Sequence, residues 1–140
     1  MADIRDNKII GIYVGSYEDI ILARQKIRII IQEAGFSLLD QTRIITAVSE
    51  LGRNIVVHAK EGHISVFKLS GREGIKIIFQ DNGPGIPNIS KAMEAGFSTV
   101  CSLGLGLSGS KKLSDEFDIK SIPGKGTTIT IIKWLNGIED

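Results

Sequence analysis

The feature that most constrains the fold is an apolar run cut off by a rigid turn. Ile75-Lys76-Ile77-Ile78-Phe79 has the density of a buried strand. Directly behind it, Asp81-Asn82-Gly83-Pro84-Gly85-Ile86-Pro87 interleaves glycines with prolines. Proline bars regular structure, and glycine opens backbone angles closed to other residues. The strand is therefore predicted over residues 75–80, central in its sheet, with a carboxylate at its end beside a tight turn. Residues 63–69 alternate like a half-buried strand, and Ser70-Gly71-Arg72-Glu73-Gly74 joins them to the central strand as a hairpin. Residues 117–122 and 127–134 are predicted as two more strands, turned by Pro123-Gly124-Lys125-Gly126.

The first half of the chain has a helical period. After a β-branched run at residues 8–14, Ser16 is a candidate N-cap. Ile20, Ala23, Ile27, Ile30, Ile31 and Ala34 then recur at helical spacing until Gly35 stops the helix. Ser37 or Asp40 caps a second helix whose core stripe is Ile44, Val48, Leu51 and Ile55. A neighbouring stripe carries Ala47, Glu50, Asn54 and His58. This polar stripe borders the apolar one, which places it at the rim of the core, where a cleft can form. Further on, residues 89–95 are expected to form a short helix, 96–103 a loop, and Gly104-Leu105-Gly106-Leu107 the start of a helix reaching Leu113. The expected fold is α+β: a two-layer sandwich with a mixed, mostly antiparallel sheet and helices on one face, in one domain over residues 1–140.

Composition narrows the function. The 140 residues carry 17 basic and 16 acidic side chains, so there is no general pull toward nucleic acid or acidic membranes. At 6% aromatic content, stacking platforms for single strands are not expected. Cys101 is the only cysteine, which excludes an internal disulfide and a cysteine metal cluster. The opening residues Met1-Ala2-Asp3-Ile4-Arg5-Asp6 carry no apolar signal core, and the longest apolar stretches fall far short of a membrane span; the expectation is a cytoplasmic protein.

Four short patterns carry chemistry. Glu50 and Asn54 stack one above the other on the second helix. Asp81-x-Gly83-x-Gly85 ends the central strand. Gly104-x-Gly106 precedes a helix, a phosphate signal that is weak alone. Gly124-x-Gly126-Thr127 precedes the last strand. Singly these are most often a solvated helix face, ordinary turns and a plain hairpin. Together and in this order, Glu50-Leu51-x-x-Asn54, Asp81-x-Gly83-x-Gly85, Gly104-x-Gly106-Leu107 and Gly124-x-Gly126-Thr127 resemble the nucleotide-binding motifs of the GHKL ATPase superfamily. Within it, Ala47-Val48-Ser49-Glu50-Leu51-x-Arg53-Asn54-Ile55, Glu94-x-Gly96-Phe97-Ser98-Thr99 and Ile132-Lys133-Trp134-Leu135 resemble the small serine kinases of the anti-sigma class. The chain departs from that class at Val100-Cys101-Ser102, where more glycine is expected.

The resemblance implies a Bergerat-type sandwich that binds ATP and Mg²⁺. Asp81 would accept a hydrogen bond from the adenine amino group, and it would repel guanine, which places an acceptor there. Gly83 and Gly85 would let the backbone pass close to the base. Thr127, or Thr128 beside it, would offer a hydroxyl. Asn54 would be the magnesium ligand through its amide oxygen. Gly104, Gly106 and Leu107 would form the phosphate end. Glu50 would be the general base. For His58 a phosphate contact and a helix-end role both stand, and Arg53 is expected at the surface or on a partner. The implied substrates are serine or threonine residues on STAS-domain proteins of the stressosome, and the implied downstream partner is a phosphatase or cyclase. Two other readings stand beside the kinase: an anti-sigma factor that uses ATP or ADP as a switch ligand, and a nucleotide-free structural domain.

Overall fold

The computed structural model describes residues 3–86, 93 and 107–135. The expected helix at 89–95, the loop at 96–103, and Gly104 and Gly106 lie outside them. Strand β1 (Arg5–Val14) leads into helices α1 (Tyr17–Glu33) and α2 (Leu38–Asn54). After a π-helical turn (Ile55–Ala59) come β2 (Gly62–Ser70) and β3 (Gly74–Asp81). Helix α3 (Leu107–Leu113) precedes β4 (Glu116–Ile122) and β5 (Gly126–Trp134). The α+β sandwich is as expected. The sheet order is β1-β2-β3-β5-β4, and every described pairing is antiparallel, so the expected mixed sheet is corrected. Short turns at 71–73 and 123–125 join β2 to β3 and β4 to β5, and only antiparallel neighbours can be joined so tightly.

β3 is central, flanked by β2 and β5. Its Ile75, Ile77 and Phe79 are buried, and they join Ile64, Val66, Ile129 and Ile131 of the neighbouring strands on one apolar face. Against this face pack Ile20, Ala23, Ile27 and Ile31 of α1 and Ile44, Val48 and Leu51 of α2. Both helices begin where the sequence signals it. The Ser16 hydroxyl accepts from the Asp19 N–H (3.2 Å), and the Asp19 carboxylate accepts from the Gly15 N–H (2.9 Å), a reciprocal box that satisfies otherwise orphaned donors. At α2 the choice between Ser37 and Asp40 is resolved for Ser37, whose hydroxyl accepts from the Asp40 N–H at 3.1 Å. Gly35, at φ +95°, ends α1 in the left-handed region that glycine favours.

The second helix departs from the expected regular course at its C-terminal end. It is α-helical to Asn54 and then widens into the π turn, and Lys60 leaves that turn at φ +73°. Wide turns of this kind concentrate at functional sites. The widening brings Ile55 and Ala59 down onto the end of β3. At Gly62 a Cβ would overlap the Gln80 carbonyl and stand 2.9 Å from the Ile55 side chain. Helix end and strand end are thus in direct contact.

Ile27 lies in the layer between α1 and the sheet with no exposed surface. Ile27→Ala is expected to lower unfolding free energy by about 2–5 kcal/mol, measured by urea denaturation with an unchanged m-value.

Candidate functional site

A hollow opens where the π turn meets the end of β3. Leu51, Asn54, Ile55, His58 and Ala59 form its helical wall. Phe79 and Asp81 of β3, with Thr127 and Ile129 of β5, form the sheet wall. Pro84, Gly85 and Ile86 close one side, and Leu107, buried at the start of α3, closes another. Most of the lining is apolar, with a few polar groups converging on it, the usual character of a small-molecule site.

Asp81 and Asn54 face the same space, as the sequence motifs require. Burial pushes the Asp81 carboxyl above its usual range. The backbone N–H groups of Gly83 and Thr127 and the charge of His58 pull partly the other way. The Gly83 N–H bond is 2.8 Å long. Those donors hold the carboxylate at the strand end in one orientation. On the opposite wall the Asn54 Oδ1 is buried and accepts no hydrogen bond. An unpaired buried acceptor costs about 1–3 kcal/mol, and an amide oxygen is a ligand type that hard divalent cations use. The residues present therefore fit a magnesium ion. Among the described residues no group of three or more His, Cys, Asp and Glu side chains could hold an ion on its own. Such an ion would take most of its shell from its ligand's oxygens and water.

Glu50 sits one helical turn before Asn54, partly buried, and is not among the residues lining the hollow. Thr127 is buried in the hollow wall. Thr128 falls on the opposite face of β5 by the alternation of the strand. Arg53 is exposed, and His58 lines the hollow, which places it at the site and not merely at a helix end.

The two turn glycines lie close against protein atoms. A Cβ on Gly83 would stand 2.5 Å from the Ala59 Cβ, and one on Gly85, at φ +78°, would stand 2.6 Å from the Ile122 carbonyl oxygen. The turn is clamped between the π turn and the β4–β5 hairpin. The Gly124 N–H donates to the Pro84 carbonyl at 2.7 Å and ties the clamp shut.

Sequence reasoning missed Ala59 and Ser121. Ala59 packs against Gly83. Ser121, on β4, pairs with Thr127 across the hairpin; its hydroxyl accepts from the Ile86 N–H at 2.6 Å and lies 2.9 Å from the Thr127 Oγ1. Counting residues outward from the turn at 123–125 would have set Ser121 opposite Thr127.

Comparison with known proteins bears on the same residues. The family described as histidine kinase-, DNA gyrase B-, and HSP90-like ATPase matches residues 39–136. The chain is 52% identical over 119 residues to the serine/threonine-protein kinase RsbT of Bacillus subtilis, with 84% of this chain and 90% of RsbT covered. It is 35% identical over 100 residues to an anti-sigma F factor of Caldanaerobacter subterraneus, covering 66% of this chain and 68% of that protein. An anti-sigma F factor of Clostridium kluyveri is 28% identical over 141 residues, covering 96% and 99% of the two chains.

The Asp81 environment sets a pH dependence. A carboxyl whose folded pKa is raised binds its proton more tightly folded than unfolded. Stability is then highest below the unfolded value near 3.8 and is lost as pH rises through the folded value. Asp81→Asn carries no such charge. In nucleotide-free protein, its melting temperature relative to wild type is expected to climb across that window and stay high at neutral pH. A difference that does not change with pH would show that burying this carboxyl costs nothing.

Proposed function

The chain belongs to the histidine kinase-, DNA gyrase B-, and HSP90-like ATPases, and from that premise we propose that it is an ATP-dependent serine/threonine protein kinase. The observation that carries the reading is the pairing of a held carboxylate and an orphaned amide oxygen across one apolar hollow. Its likeness to RsbT over most of both chains supports the choice of a protein acceptor.

In this reading the adenine lies between Leu51, Phe79 and Ile129. Asp81 accepts from its amino group and rejects a base that carries a carbonyl there. Thr127 adds a hydroxyl at the same edge. Asn54 would hold a magnesium ion through its Oδ1, and the Gly104-x-Gly106-Leu107 motif is assigned to the phosphates. Magnesium, when bound, offsets phosphate charge and fixes the γ-phosphoryl group. Glu50 is the general base. It accepts the proton of the acceptor serine or threonine hydroxyl as that oxygen bonds to the γ-phosphorus and the bond to the β-phosphate oxygen breaks, releasing ADP. The acceptor is a STAS-domain protein of a stressosome. The released kinase activates a downstream phosphatase or cyclase by contact, in the cytoplasm, as part of a bacterial stress response. Among the described residues no helix is long and apolar enough to cross a membrane.

The anti-sigma F factors among the relatives favour a second reading, in which the chain sequesters a sigma factor and the nucleotide is a switch. Capture of a sigma factor in ADP would support it.

Incubation with ATP, Mg²⁺ and a STAS-domain protein is expected to yield phosphoserine or phosphothreonine by mass spectrometry. Glu50→Ala is expected to lower transfer at least about a hundredfold while nucleotide still binds. Loss of binding, or transfer at the wild-type rate, would remove Glu50 from the role of base.

A further inference from the structure

A second hollow, of about 440 Å³, lies at the ends of β1, β2 and β3, and its lining shares only Ala59 with the first. Its floor is a row set by strand register: Tyr13 pairs with His63, and His63 with Gln80. The strand neighbours of these residues, Ile12, Val14, Ile64 and Phe79, are buried in the core beneath the helices, so the row belongs to the open face of the sheet. Glu61 and Asn82 stand two residues further along β2 and β3, on that same face, and line the hollow at its rim.

The groups here are set in place. Tyr13 is 52% exposed, yet three neighbours hold it. Its hydroxyl donates to the Glu61 Oε1 at 2.7 Å, its ring meets the His63 ring edge to face at 5.8 Å, and a Cβ on Gly15 would overlap it. The same hydrogen bond orients the Glu61 carboxylate. That carboxylate has about four lone-pair sites, and Tyr13 uses one. Among the described residues, neither the Gln80 nor the Asn82 side-chain amide has a hydrogen-bond partner within the protein. Of Asp, Glu, Lys and Arg, only Glu61 is in the lining. Its hydrogen bond, some desolvation, and its charge together with that of Asp19 push the Tyr13 phenol above its ordinary range, the mark of a negative field.

We infer that this hollow is a binding site for a guanidinium group, the side chain of an arginine on a protein partner. A guanidinium is planar, carries five N–H donors, stacks on aromatic rings and forks onto carboxylates. A carboxylate, two amide oxygens and a tyrosine ring are the matching surfaces, and all four line this hollow. An ammonium is a strongly hydrated point charge with no plane to lay on the ring. A phosphate or carboxylate would meet Glu61 as a like charge. The lining has no Lys or Arg to pair with the α-carboxylate of a free amino acid, so the arginine is one held within a peptide chain.

The test titrates the full, nucleotide-free chain with N-acetyl-arginine N-methylamide and with its citrulline counterpart, which has nearly the same shape and no charge, followed by ¹H–¹⁵N NMR. Saturable shifts are expected at residues 13, 61–63, 80 and 82, with the arginine form binding at least about fivefold more tightly. Glu61→Gln, a change at an exposed residue, is expected to remove that preference. Shifts that do not saturate, or that are equal for the two compounds, would overturn the site, as would a Glu61→Gln protein that keeps the preference. Free L-arginine binding more tightly than the blocked form would assign the hollow to a small molecule and overturn the protein partner. Should Glu61→Gln fail to fold, the comparison of the two compounds on wild type decides alone.

Discussion

Two backbone N–H groups hold a carboxylate in a place where burial works against its charge, and the site is built outward from that balance. Asp81 ends the central strand, and its acceptor oxygens are met by Gly83 on its own chain segment and by Thr127 on the paired strand. Held so, the group faces the hollow. A buried polar group normally finds a partner, and an acceptor left without one is the condition for recognising something else. Asn54 shows that condition on the opposite wall, with a buried oxygen and no donor.

The clamp around the 82–86 turn fixes the wall that carries Asp81 against the wall that carries Asn54. The Gly83 backbone rests on Ala59, and the Gly85 backbone rests on Ile122. Helix end, strand end and hairpin thus set one another's positions. A regular α-helix ending at Asn54 would have left the space behind Gly83 unfilled. The π turn supplies Ala59 to fill it, a local irregularity retained because the surrounding packing requires it.

Much of this was legible in the residues. The helical stripe through Ile44, Val48, Leu51 and Ile55 and the caps at Ser16 and Ser37 follow from period and hydrogen-bonding chemistry that act locally. The apolar run at 75–79 and the glycine-proline turn behind it located the strand end and its carboxylate for the same reason. The π turn was not legible, because its cause lies in contacts with β3 that no local window contains. Nor was Ser121, a polar residue in a strand of half-exposed pattern, whose importance comes from the hairpin register. The glycines were legible as tight places, but what fills the space beside them is set by the tertiary fold.

The hollow draws its walls from α2 and from β5, segments widely separated along the chain, with β3 between them. No contiguous fragment contains it. An unfolded or half-made chain therefore has nothing with which to grip the ligand. Whatever occupies the hollow binds only the completed molecule, and stabilises it in proportion to the logarithm of its concentration once the site is saturated. During synthesis the pocket cannot exist until the last strand has left the ribosome and closed the sheet.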